Sequence, residues 1–188
     1  MLVLALLAAP CMVAGAAPAG PPGSAGGLGP AAEADGVDTL RRQLLDLGLA
    51  RAEVDEAVSA CGRAGMSGAE TTRVLRLLAR ARLAGLPHRE LLLKLQEGVA
   101  KGATPEAIQG ALEQKARVLR QAKGLVDRLV LEGHPAVSRP VAVQGVADAL
   151  AAGASEAEIL ESVRRGVPLG KGRPDLRDLF RRGRPPAR

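Results

Sequence analysis

The hexapeptide Gly65-Met66-Ser67-Gly68-Ala69-Glu70 decides the fold, because it reads as a helix stop followed at once by a helix start. Gly65 suits the left-handed backbone conformation that closes a helix. Ser67 can accept hydrogen bonds from the free amides of the next helix. Glu70, three residues on, can reach back to the cap amide and faces the positive end of the helix dipole. The same order of Gly, an apolar residue, a cap or helix starter, two variable positions and often Glu recurs. It reads G-L-A-R-A-E at 48–53, G-L-P-H-R-E at 85–90, G-A-T-P-E-A at 102–107 and G-A-S-E-A-E at 153–158. Ser155 and Glu158 repeat the capping pair. Thr104-Pro105 is a cap followed by Pro at the first helical position, where its missing N–H does no harm. Pro87 is expected to act similarly, whereas Ala50 is a weak cap that leaves its copy degenerate.

The glycines at 48, 65, 85 and 102 are 17, 20 and 17 residues apart, so 48 to 85 and 65 to 102 are both intervals of 37. A unit of that length holds two short helices, the size range of helical-hairpin repeats. The resemblance is to the architecture of such solenoids alone. No tetratricopeptide, ankyrin or HEAT consensus is present, and an irregular bundle with similar turns explains the spacing equally well.

Between these signals the apolar spacing is helical. Helices are expected near 38–47 (burying Leu40, Leu44 and Leu47), 51–63 (Val54, Ala57, Val58, Cys61), 68–83 (Val74, Leu77, Leu78, Ala81) and 88–100 (Leu91, Leu92, Leu95, Val99). From Pro105 to Leu131 nothing is strong enough to end a helix, and Ile108, Ala111, Leu112, Leu119, Ala122, Val126, Leu129 and Val130 keep a three-four spacing. Gly110 and Gly124 inside this span cost about 1 kcal/mol each relative to Ala and suggest close helix crossings or a kink. After Gly133-His134-Pro135, helices follow near 138–152 (Val143, Val146, Leu150) and 156–165 (Ile159, Leu160, Val163). The expectation is an all-α irregular bundle of about seven short helices, with solenoid-like hairpin repeats and one long central helix.

Composition agrees with a helical reading. Phe180 is the sole aromatic residue, so Leu, Val, Ile and Ala must fill the core. Such residues fill helix seams, whereas sheet sandwiches draw on aromatic and β-branched side chains. A GC-rich bacterial genome would produce the excess of Arg, Ala, Gly and Pro without any functional reason. The net charge of +6 is unevenly placed. Residues 164–188 hold nine Arg or Lys against two Asp, and the rest of the chain is close to neutral.

Residues 1–16 read as a secretory signal peptide. An apolar run, Leu2–Ala9, precedes the small residues Ala14-Gly15-Ala16, and the run is far shorter than the ~20 residues that span a bilayer. No Lys or Arg precedes it. The expectation is export to the periplasm or the medium. Leu7-Ala8-Ala9-Pro10-Cys11 partly resembles a lipobox, which makes Cys11 a lipidation candidate, although Pro10 argues against processing there. Cleavage after Ala16 leaves Cys61 alone, so no intramolecular disulfide forms. Cys61 shares a face with Ala57 and Val58 and reads as a small buried hydrophobe, with a redox or dimer-forming thiol as the alternative. Residues 17–36 form a Pro/Gly/Ala linker expected to be disordered. The helical domain should then span 37–166, followed by a basic, largely disordered tail over 167–188.

No set of residues announces catalysis. Zinc needs three or four ligands in close array, and Cys61, His88 and His134 have no ligand-pair spacing. His88 falls at a helix start and His134 in a loop after a helix, both solvent-prone. There is no G-x-S-x-G, P-loop or dinucleotide fingerprint, and the adjacent Asp55-Glu56 carboxylates face different ways on a helix. Neither a cofactor nor a metal is expected, and the chain reads as a non-enzyme.

The tail is the one segment suggesting partner chemistry. Pro174-Asp175 can start a helical turn that places Leu176, Leu179 and Phe180 on one side, flanked by Arg177, Arg181 and Arg182, with Arg184 just beyond. A short basic amphipathic segment of this kind suits anionic lipid headgroups, another polyanion or an acidic protein surface. Nucleic acid is disfavoured by export and by the lack of stacking aromatics. The leading expectation is a non-catalytic interaction or structural protein of the cell envelope with a protein partner. The alternative is an anion- or membrane-surface-binding module that uses the tail.

Overall fold

The computed structural model describes residues 30–169 and 174–180, with side chains from Gly36 onward. The segment expected to be a signal peptide, with Cys11, the expected linker up to residue 29, and Arg181, Arg182 and Arg184 lie outside the described residues. The chain is an all-α bundle. Seven α-helices are described: α1 (Pro30–Asp46), α2 (Arg51–Arg63), α3 (Gly68–Leu83), α4 (His88–Ala100), α5 (Pro105–Leu131), α6 (Arg139–Ala151) and α7 (Glu156–Arg165). A single 3-10 turn, Arg177–Leu179, follows. Among the described residues the one β contact is an isolated antiparallel bridge between Ala136 and Phe180.

The punctuation works as its chemistry dictates. Ser67 accepts from the Glu70 amide at 3.3 Å while the Glu70 carboxylate accepts from the Ser67 amide at 2.8 Å. Ser155 and Glu158 repeat this exchange at 3.2 and 2.7 Å. Thr104 accepts from Ala107, with Pro105 in the first turn. Ala50 has no acceptor in its side chain, yet Glu53 still reaches back to its amide at 3.2 Å, so half of the exchange survives. Pro87 departs from expectation. It is the N-cap residue and makes no side-chain cap bond, so α4 begins at His88.

Gly65 takes φ +69°, the left-handed geometry that an L side chain resists. Its amide donates to Gly62, and the next amide, Met66, donates to Cys61 five residues back. Leu49, Leu86, Ala103 and Ala154 make the same five-residue return. This supplies the physical reason for the apolar residue after each glycine. The closing bond folds that side chain back onto the last turn of its own helix. Leu49, Met66, Leu86 and Ala154 are accordingly buried. Five of the turns are four residues long: 47–50, 64–67, 84–87, 101–104 and 152–155.

The expected apolar positions face inward, and Leu44, Leu91, Leu95, Leu119 and Ile159 are buried almost completely. Each large aliphatic side chain so placed contributes about 1.5–3 kcal/mol before its entropy loss is subtracted. Leu45, Leu47, Val58, Leu77, Val99, Val130 and Leu150 pack partly buried at the edges. Helix α1 lies mainly against α3, α2 mainly against α4, and α5 against α4 and α6. Helix α1 also begins at Pro30, well before the apolar pattern that announces it near residue 38.

Gly110 and Gly124 are not crossing points. A β-carbon at either would meet nothing within 4 Å, and α5 runs unbroken through both. The close approaches lie elsewhere. At Gly98 an added β-carbon would stand 2.7 Å from Ile108 Cγ1, where α4 meets α5. At Gly145 in α6 it would collide with Leu179 Cδ1.

Residues 174–180 therefore form a strap across α6. Leu176 and Phe180 are buried, Leu179 partly so, and the Val137 amide donates to the Leu179 carbonyl at 2.9 Å. The three apolar residues do share one side, and that side faces the protein.

Candidate functional site

Most of the charge on the described surface is satisfied locally. Arg63 pairs with Glu56 at 2.7 Å and Arg89 with Glu53 at 2.8 Å. Arg164 pairs with Glu132 at 2.6 Å, and Lys115 sits 3.1 Å from the half-buried Glu90. The three arginine pairs hold Glu56, Glu53 and Glu132 below the usual carboxylate range. Arg164, helped by Arg128, brings Glu132 to a pKa of about 2, and Lys101 with Lys94 does the same for Glu97. Burial pushes Glu53 up, but Arg89, the Ala50 amide and His88 together outweigh it and leave Glu53 below the usual carboxylate range.

Against this background the cleft between α3 and α5 stands out. It is an open groove of about 430 Å³ lined by Leu77, Arg80, Ala81, Ala84, Leu86, Glu113, Ala116, Arg117 and Arg120. Its floor is apolar and small-sided, because α3 turns Leu77 and Ala81, and α5 turns Ala116, toward the seam. Arg80, Arg117 and Arg120 rise from the rims, and none of the three side chains makes an ion pair or a hydrogen bond among the described residues. A second chamber, about 20 Å³ and lined by Arg73, Gln109 and Glu113 among others, adjoins the first along Leu77. Arg73 donates to Gln109 Oε1 at 3.5 Å, while the buried Gln109 Nε2 has no partner. The combined groove carries four arginines against one carboxylate, Glu113.

The larger groove between α1 and α2, about 600 Å³, is different in kind. One pair crosses it, Arg41 to Asp55 at 2.6 Å, and Arg41 also stands 3.7 Å from Asp38 on its own helix. Among the described residues Arg42 and Arg51 form no ion pair there, but with Asp38 and Asp55 in the same lining the groove carries three arginines against two carboxylates and is closer to neutral.

The tail residues fare unevenly. Arg177 is held in a bidentate pair with Asp175, whose carboxyl it lowers to about 2. The apolar side expected to meet lipid or a partner, Leu176 with Phe180, is buried against the protein instead. Hydrophobic side chains already removed from water have no further burial to gain from a bilayer.

Cys61 is fully buried on α2, and burial pushes its thiol up to about 11 against a smaller opposing hydrogen bond from Thr71. A thiol so placed is a packing group. His88 is not solvent-exposed as its position at a helix start implies. Its side chain is only 15% exposed and stands 3.4 Å from Glu53. His134 follows α5 and donates its backbone amide to Leu129. Among the described residues, no three of His, Cys, Asp and Glu gather in a way that could hold a metal ion. No helix among them is long and apolar enough to cross a membrane.

The arginine groove escaped the sequence reading because charge there was averaged over the whole domain. A signal existed at the level of one helix: α3 carries Arg73, Arg76, Arg80 and Arg82 with Glu70 as its one acid, and Glu70 is spent on the cap. No protein-family model matches this chain, no curated protein matches it, and no solved structure matches it.

Proposed function

We propose that this chain is a non-catalytic interaction protein, exported to the cell envelope, that holds a protein partner on its helical surface. The observation that supports this reading is the α3–α5 groove, where the Arg80, Arg117 and Arg120 side chains stand unpaired beside an apolar floor while most charges on the described surface are paired. An unpaired arginine at a rim is solvated and adds little to folding, but it adds specificity and encounter rate to association. The apolar surface left open at Leu77 and Ala84 adds burial that a charged rim lacks. An envelope partner is supported by the short apolar run and small residues of 1–16, read as an export signal.

The test is site-specific photo-cross-linking in cells. A photoreactive residue at Ala84, beside the groove, and another at Ser59, exposed on α2, are compared in fractionated cells. A discrete adduct in the envelope fraction is the expected result. A chain that stays in the cytosol with its first 16 residues attached, or one that yields no adduct from any surface position, overturns the reading.

A further inference from the structure

We infer that the α3–α5 groove accepts an acidic amphipathic helix of a protein partner, so that three helices lie side by side. This rests on the interaction reading above and names the chemistry of what is held. Three observations on the groove converge.

The first is shape. The groove runs along α3 and α5, and its floor is kept low by the small buried Ala81 and Ala116, while the partly buried Leu77 and the exposed Ala84 leave apolar surface to cover. A helix set over the seam can place apolar residues at three-four spacing against Leu77 and these alanines.

The second is charge. Arg73 and Arg80 lie on the α3 wall and Arg117 and Arg120 on the α5 wall, so cationic groups flank the floor on both sides. An incoming helix with carboxylates on both shoulders of its apolar stripe meets guanidinium groups left and right. Arginine is the side chain best shaped for such pairs, since its planar fork matches a carboxylate.

The third is Glu113, which lines both the groove and its smaller chamber. A bilayer presents a continuous negative surface and would meet this carboxylate with repulsion. It would also have to reach recessed walls with a flat face. A peptide avoids both, because it can set a basic or amide residue opposite Glu113 while its acids meet the arginines.

The test uses the full-length chain and two labelled helical peptides of about 16 residues, long enough to span α3 at 1.5 Å per residue. Both peptides carry leucines at three-four spacing. One has glutamates on the shoulders of that stripe and the other has lysines. Binding is followed by fluorescence anisotropy, and folding of every variant by circular dichroism. The glutamate peptide should bind and the lysine peptide should not. Raising salt from about 50 to 500 mM should weaken the complex, because the rim pairs are screened. The triple variant Arg80→Glu/Arg117→Glu/Arg120→Glu should lose affinity by about tenfold or more, or 1.4 kcal/mol. The control Arg42→Glu/Arg51→Glu, in the α1–α2 groove, should bind as the unaltered chain does.

Equal binding by the triple variant, or no binding of the glutamate peptide, overturns the inference. So does a triple variant that keeps the peptide but loses phosphatidylglycerol vesicles, or one that turns a dimer into a monomer in sedimentation. Should the peptide fail while Ser59 still cross-links a partner, the groove assignment falls and the interaction reading stands. Loss of both removes both.

Discussion

Gly98 of α4 rests directly on Ile108 of α5, with no room for a β-carbon between them. Ile108 is only 1% exposed, so it has nowhere to retreat. The helix preference of Ala over Gly, about 1 kcal/mol, should therefore be outweighed by an overpacking cost of about 1–3 kcal/mol. Gly98→Ala should lower the urea midpoint. The double variant Gly98→Ala/Ile108→Ala should cost less than the two single losses added together, because removing the γ carbons of residue 108 clears the contact.

Two other glycines should respond in opposite directions to the same substitution. Gly65 holds a positive φ at the end of α2, where Ala pays a left-handed cost of about 1–2 kcal/mol. Gly110 lies exposed within α5 with open space at its β-position. Ala there should stabilise by up to about 1 kcal/mol. Chemical denaturation of Gly65→Ala and Gly110→Ala checks both signs.

The Arg164–Glu132 pair predicts an acid sensitivity. Arg164 donates to both Glu132 oxygens, at 2.8 and 2.6 Å, and holds that carboxyl near a pKa of about 2 against an ordinary 4.5. A carboxylate depressed by folding contributes stability in full above its unfolded value, and that contribution is lost as pH falls toward the folded one. The gap in denaturation midpoint between the unaltered chain and Glu132→Gln should be widest above pH 4.5 and close on the way to about 2. High salt should narrow the gap at neutral pH, because the pair lies at the surface.

Cys61 should resist thiol reagents at neutral pH. Burial on α2 with the thiol raised to about 11 leaves almost no thiolate and no route of attack. Labelling by a disulfide-exchange reagent should be slow in buffer and complete in denaturant. Rapid native-state labelling would show that α2 opens locally.

Helix order was legible because the turns spell themselves out locally: a glycine closes each, Ser67, Thr104 and Ser155 cap the next helix, and Glu70 and Glu158 complete two of those caps. The role of the residue after each glycine is only visible once Met66 and Leu86 are seen folded back onto their own helices. The strap was half legible. Leu176, Leu179 and Phe180 do share a side, but the same spacing serves a surface-seeking segment and a docked one. What distinguishes them is the bare surface at Gly145, contributed by a helix some thirty residues earlier in the chain. The arginine groove depends on how α3 and α5 lie relative to each other, which no periodicity within either helix encodes.

The four-residue turns leave the chain no slack. In such a turn every residue has a task, so one inserted residue cannot be absorbed as a looser loop. It would push forward into the following helix and rotate its faces by about 100°, turning arginines toward the interior and leucines toward water. Tolerated changes of length should therefore come as whole helices or fall in the seven-residue connection after Leu131, the one long joint between described helices.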